Sequence, residues 1–243
     1  MRRALALVAV ALTAGCGGSS GSDSKPRVVV SAASSMTEAL RACSPNARLQ
    51  FAGSDELATQ IEQGVKPDVY AAANTKLPDA LHERGLLSAP VRFATNELVL
   101  AVPKGSSVAS VKDLEPPGVK IAIGSESVPI GSYTRDTLAK LPPAESKAIL
   151  ANVRSNEPDV KGIVGKLTQG AVDAGFVYVT DVNATAGRLN AIELPAAVEP
   201  RVTYEAGVVE GAKHPEQARA YVDGLVHGPC ADALAKAGFG AAR

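Results

Sequence analysis

The chain has no tryptophan and only four phenylalanines among its 243 residues. A pocket that grips an organic solute by stacking would have little to build with. Its three histidines, His82, His214 and His227, are scattered. No Ser/His/Asp order and no metal-ligand spacing joins them, so nucleophilic hydrolysis and a histidine-held metal both lack a framework. Acidic and basic residues balance at 25 each. No basic field therefore exists to hold a nucleic-acid backbone. The apolar run Ala4 to Ala14 is too short for a bilayer, which needs about 20 such residues. The stretch Gly162-Ile163-Val164-Gly165-Lys166-Leu167-Thr168 has the flavour of a phosphate loop but not the G-x-x-x-x-G-K-[ST] spacing.

What is present starts with a leader. Met1-Arg2-Arg3, the apolar run and Gly15-Cys16 form the basic, apolar and small-residue zones of a secretory signal over residues 1–15. Leu12-Thr13-Ala14-Gly15-Cys16 resembles a bacterial lipobox, with Thr13 standing where an aliphatic residue is usual. That resemblance implies a lipidated Cys16 holding the protein to the cell membrane from outside; the alternative is secretion with a free thiol. Residues 16–26 then carry the cysteine and a Gly/Ser-rich tether. Gly17 to Gly21 spells G-x-S-x-G, but without the strand before and helix after that a nucleophile elbow requires. Losing Arg2 and Arg3 turns a balanced charge into −2. Two further cysteines, Cys43 and Cys230, are either a disulfide joining the two ends of the fold or two separately buried thiols.

The rest alternates strand and helix. Strands are expected at Val28–Ser31, Arg48–Ala52, Asp68–Ala72, Glu97–Val102, Lys120–Gly124, Val172–Thr180 and Val202–Val209. In Val172–Thr180, period-two spacing puts Val172, Ala174, Phe176 and Tyr178 on one face. Helices are expected at Thr37–Cys43, Glu56–Gln63, Leu77–Arg84, Tyr133–Lys140, Ala144–Asn152, Val160–Thr168, Pro215–His227 and Ala231–Ala237, with Gly64, Gly85 and Gly170 at stop positions. Such a rhythm argues for parallel α/β sheets that bind at the carboxyl ends of their strands. If there are two lobes, the chain crosses in strands near Phe93–Pro103 and Arg201–Gly211. Residues 27–92 and 206–243 then form one lobe and 93–205 the other.

Four strand-to-helix junctions offer exposed donors: Ser34-Ser35; Gly53-Ser54; Val128-Pro129-Ile130-Gly131-Ser132; and Pro158-Asp159-Val160. Ser35 and Glu38 have the spacing of a capping box. Tyr178 adds a phenol at a strand end. Helix starts present free N–H groups and a positive dipole end, which suit an anion. A cage of neutral donors suits one that carries no proton, since a proton-bearing ligand such as monohydrogen phosphate would bury a donor unpaired.

The segments Ala32–Leu40, Gly53–Ile61, Gly64–Tyr70, Val128–Tyr133 and Asp173–Asp181 stand in the order seen in periplasmic molybdate-binding proteins of ABC importers, and the resemblance covers Arg27 to Phe239. It implies a type II periplasmic binding-protein fold, two α/β lobes joined by two crossing strands, closing on a tetrahedral oxyanion in the cleft. It carries ligand contacts onto Ser35 and Ser54 in one lobe and onto Ile130, Val160 and Tyr178 in the other. Ile130 departs from the family, where alanine is more usual; its N–H can serve if the side chain points away. Asp55 and Asp159, beside these donors, are expected to face away from the ligand. Also implied are molybdate or tungstate as ligand, no cofactor, no cation-binding side chains, an ABC permease with a cytoplasmic ATPase as partner, and a monomer. Sulfate, or less readily an organic solute, is the alternative ligand; an enzyme is disfavoured.

Overall fold

In the computed structural model, which describes residues 27–242, strand and helix alternate almost throughout. The signal sequence, Cys16 and the tether lie outside the described residues. The first lobe opens with β1 (Val29–Ala33), α1 (Thr37–Cys43), β2 (Arg48–Ala52), α2 (Ser54–Glu62), β3 (Val69–Ala72), α3 (Lys76–Glu83) and β4 (Val91–Asn96). The second contains β5 (Leu98–Pro103), β6 (Ile121–Gly124), α4 (Pro129–Ala139), α5 (Pro143–Ala151), β7 (Val153–Glu157), α6 (Val160–Thr168), β8 (Ala174–Tyr178), α7 (Val179–Asn183) and β9 (Leu189–Glu193). The chain returns to the first lobe in β10 (Val202–Val208), α8 (Pro215–His227), α9 (Pro229–Ala237) and β11 (Gly240–Ala241).

Each lobe has its own sheet. The first runs β11-β4-β10-β3-β1-β2 and the second β7-β6-β8-β5-β9. The sheets are mixed rather than wholly parallel. β2, β1 and β3 run parallel, as do β7, β6 and β8, while β10 and β5 pair antiparallel to their neighbours. The physical reason lies in the crossings: β5 and β10 are the strands that enter a sheet directly from the other lobe, without a covering helix to turn the chain around. The change of sheet falls at Glu97 and between Glu193 and Val202, so Phe93–Asn96 belong to the first sheet and Val202–Glu205 do too.

The strands that carry the site are short, small-residued and buried: VVSAA in β1, VYAA in β3 and IAIG in β6. All five residues of β8 are buried, which corrects the expected one-sided alternation; β8 lies between β6 and β5 and is covered on both faces. Its helical continuation, α7, begins at Val179, so Thr180 is not in the strand. Asp68 locks the first lobe at the other end of its strands. It is buried and accepts the Val29 N–H at 2.8 Å and the His214 N–H at 2.9 Å. Those bonds outweigh burial and hold its carboxyl below the ordinary carboxylate value. Cys43, ending α1, and Cys230, in α9, form a disulfide with Cα atoms 5.1 Å apart. Of the two arrangements open to these cysteines, the fold therefore has the bridge, which ties helices 187 residues apart in sequence.

Candidate functional site

The carboxyl ends of β1, β2, β6, β7 and β8 converge between the lobes, each passing into a helix or turn. Ser35, Ser54, Ile130, Val160 and Tyr178 all border one cavity there, with about 200 Å³ of empty space, its mouth included. Ser35 and Ser54 come from the first lobe and the other three from the second.

Each reaches the cavity for a local reason. A single 3-10 turn, Ser34–Met36, separates β1 from α1. That turn moves the helix start beyond Ser35, so the expected capping box does not form: no side chain caps α1, and Glu38 reaches instead to Lys161 of the second lobe. Ser54 is the first residue of α2, after Gly53 at the N-cap. Ile130 follows Pro129 at the start of α4. Its side chain turns into the second lobe, where a Cβ placed on Gly124 would lie only 2.7 Å from Ile130 Cγ2. Glycine at 124 is what lets that methyl and the α4 start sit on the end of β6. Val160 opens α6. Of the two carboxylates beside these donors, Asp159 borders the cavity but accepts the Gly162 N–H at 3.0 Å, which turns it onto its own helix. Asp55 does not border it.

The hydrogen-bond inventory makes this a site of donors. Ser54 Oγ accepts the Ala73 N–H at 3.1 Å, leaving the hydroxyl proton free. Ser35 Oγ lies 2.9 Å from the Tyr204 hydroxyl. The Tyr178 hydroxyl is buried and has no partner among the described residues. Burial, with Tyr204, Tyr133 and Asp181 nearby, pushes the Tyr178 phenol well above its ordinary value, so it stays a protonated donor. The first N–H groups of α2, α4 and α6 have no acceptor within their helices, and the positive dipole ends of all three face the same space. Among the described residues no Lys, Arg or His borders the cavity.

Lys161, which follows Val160 on α6, is engaged elsewhere. Its Nζ lies 2.8 Å from Glu38 of the first lobe and 3.2 Å from the buried Asp181 of α7, bridging the lobes beside the cavity. Burial pushes the Asp181 carboxyl up to about 7, and Lys161 offsets only part of that. The raised value means that Asp181 favours the fold fully below about pH 3.8, and that this contribution is lost as pH rises to about 7. The Asp181→Asn variant is therefore expected to show a flatter melting temperature than the wild type across pH 4 to 7. Parallel profiles of the two proteins in calorimetric scans would refute the assignment. Among the described residues no group of three or more His, Cys, Asp or Glu is placed to hold a metal ion.

The lobes meet tightly. A Cβ on Gly53 would stand 2.5 Å from the Pro158 carbonyl oxygen and 3.3 Å from Val128 Cγ2, both in the second lobe. Ala73, at the cavity's border, and Asn96 and Tyr204, behind Ser35, support the site and carry no signal that sequence reading picks out.

Residues 28–240 match the family described as bacterial extracellular solute-binding protein. The molybdate-binding protein of Mycobacterium tuberculosis is 35% identical over 180 residues, spanning 73% of this chain and 67% of that protein. Among solved structures, the periplasmic molybdate-binding protein of Azotobacter vinelandii superposes with a TM-score of 0.80 at 17% identity, over 89% of this chain and 100% of that one. The sulfate-binding protein of Mycobacterium tuberculosis gives 0.74 at 14% identity, over 88% and 86%. At those identities the two structures speak to the fold alone.

Proposed function

The chain belongs to the bacterial extracellular solute-binding proteins that serve ABC importers, and we propose that its solute is molybdate, with tungstate accepted in the same way. The observation that carries this reading is the cavity's polarity. Two serine hydroxyls, one of them already accepting a backbone N–H, one phenol without a partner among the described residues and three helix starts converge on it, with no Lys, Arg or His of the described residues at its border. Charge-assisted hydrogen bonds from such donors can replace the water of a small dianion. They offer nothing to a ligand proton, which disfavours monohydrogen phosphate. No imidazole faces the two serines: His82 Nδ1 is 2.9 Å from the Leu87 carbonyl and His214 sits on Asp68, while His227 is exposed. A nucleophilic serine would lack its base, so we favour binding over catalysis.

Because the donors are divided between lobes, ligand contacts favour the closed arrangement over the open one. Glu97 and the segment between β9 and β10 are where the chain can flex. The loaded protein then presents molybdate to a membrane permease whose cytoplasmic ATPase drives uptake. A lipidated Cys16 keeps a monomeric carrier at the outer face of the membrane. Isothermal titration of the purified protein with molybdate, tungstate, sulfate and phosphate tests the assignment. Tight binding of the first two, with sulfate weak and phosphate silent, is expected. Sulfate binding as tight as molybdate would keep the fold and move the solute to sulfate, and silence with all four would remove the oxyanion reading altogether.

A further inference from the structure

Behind Ser35 stands a chain of buried polar groups set back from the cavity's border. Asn96 is the last residue of β4, immediately before the chain changes lobes. Its Oδ1 accepts the Glu97 N–H at 2.9 Å, which fixes which end of the amide is which. The Nδ2 end therefore faces Thr180 Oγ1, at 2.9 Å, and the Tyr204 hydroxyl, at 3.3 Å. Tyr204, in β10, is wholly buried, its ring set edge-on against Phe93, Tyr178 and Phe239. Among the described residues its oxygen has one other hydrogen-bond partner, Ser35 Oγ at 2.9 Å.

Proton counting then sets a direction. The phenol oxygen accepts from Asn96, so its own proton needs an acceptor, and Ser35 Oγ is the one in reach. Were Ser35 to donate instead, the phenol proton would be buried without a partner, which is the costlier arrangement. Tyr204 cannot ionise to escape this, since burial holds its phenol far above the ordinary value. The Ser35 proton is left to point away from Tyr204, and Ser35 borders the cavity.

We propose that Asn96 and Tyr204 form a relay that fixes the direction of the Ser35 hydroxyl, aiming its proton at the bound solute, and so make Tyr204 a specificity-determining residue that never touches it. The relay rests on the oxyanion reading of the cavity. It is the counterpart, built from side chains, of what the Ala73 N–H does for Ser54. In both, a donor from behind occupies the acceptor side of a serine and leaves a donor in front. A site so wired discriminates by proton content as well as by size.

A double-mutant cycle tests it, with molybdate as the probe. Tyr204→Phe keeps the ring and its three aromatic neighbours and removes only the hydroxyl. It should weaken binding about tenfold, the worth of one hydrogen bond. In a Ser35→Ala background the same substitution should change affinity less than about twofold, because its effect passes through Ser35. The single variant should also narrow the gap between molybdate and phosphate, since an unpinned Ser35 can turn a lone pair toward a ligand proton. If Tyr204→Phe folds poorly, Asn96→Ala, which removes the amide donor to Tyr204 without adding a charge, should show the same dependence on Ser35. Losses that simply add across the cycle, or wild-type affinity in Tyr204→Phe, would overturn the relay while leaving the oxyanion site standing. A wild-type protein that binds no tetrahedral dianion would overturn the site reading, and the relay with it.

Discussion

Replacing Gly53 with alanine is expected to cost between tenfold and a hundredfold in oxyanion affinity without unfolding the protein. Gly53 has φ −60° and ψ 140°, a conformation open to any residue, so the backbone itself does not demand glycine. Space does. An alanine Cβ would meet the Pro158 carbonyl oxygen at 2.5 Å, the Asp55 carboxylate at 2.8 Å and Val128 Cγ2 at 3.3 Å. Asp55 lies on the same lobe and its side chain can turn. Pro158 and Val128 lie on the other lobe, and Pro158 meets the new methyl with backbone that cannot rotate away. The clash therefore exists only when the lobes are shut. Overpacking of this kind costs about 1–3 kcal/mol. Here that cost falls on the closed state alone and appears as lost affinity, because the ligand must pay it to bring both donor sets together. Titration gives the loss. Small-angle scattering with saturating molybdate should show the variant less compact than the wild type under the same conditions. Wild-type affinity together with a wild-type radius of gyration would mean that Gly53 is not at a closing contact.

Gly53 also shows what local sequence can and cannot reveal. The junction Gly53-Ser54 is legible because a small residue and a hydroxyl interrupt an apolar strand just before a helical pattern. Ser35 and Ile130 are marked in the same way, by Ser or Pro just after a buried strand, and Val160 by the Pro158-Asp159 pair before its helix, whereas Tyr178 shows only as a phenol at a strand end. Four junctions and one phenol bring the cavity's border into view, and the resemblance of the surrounding segments to a known family picks out the individual residues. Tyr204 carries no such mark. It is one aromatic in a buried strand, 169 residues from the serine it supports, and only the pairing of β10 with β3 and β4 brings it there. Sequence spacing likewise suggests a capping box at Ser35 and Glu38, yet Glu38 reaches a lysine 123 residues away on the facing lobe. The strands β7 and β9 go unseen because both are edge strands. Their sequences, VRSNE and LNAIE, are partly exposed and polar and resemble loops until a neighbouring strand takes up their hydrogen bonds. Likewise β4 hides its role, since its pairing with β10 depends on the chain returning from the second lobe.

Tyr178→Phe and Ser54→Ala should both weaken molybdate binding by about 1.5–3 kcal/mol, the scale of a hydrogen bond to a charged group, yet differ in what they do to the ligand-free protein. Ser54 has two duties. Its oxygen accepts the Ala73 N–H, and its hydroxyl, at the cavity's border, keeps a proton free for the solute. Removing it leaves a buried backbone donor without its partner, at about 1–3 kcal/mol, so the ligand-free melting temperature should fall along with affinity. The Tyr178 hydroxyl has no partner to strand. Its ring, packed edge-on against Tyr204 at 6.1 Å, survives the change to phenylalanine. The ligand-free melting temperature of Tyr178→Phe should therefore match or exceed that of the wild type while affinity drops ten- to a hundredfold. Thermal scans with and without molybdate separate the two residues directly. A hydroxyl held in reserve for the ligand is a cost in the empty protein and a gain in the loaded one. If Tyr178→Phe instead lost stability and kept its affinity, the phenol would be a packing element, and the second lobe would be left with backbone N–H groups as its only donors to the solute.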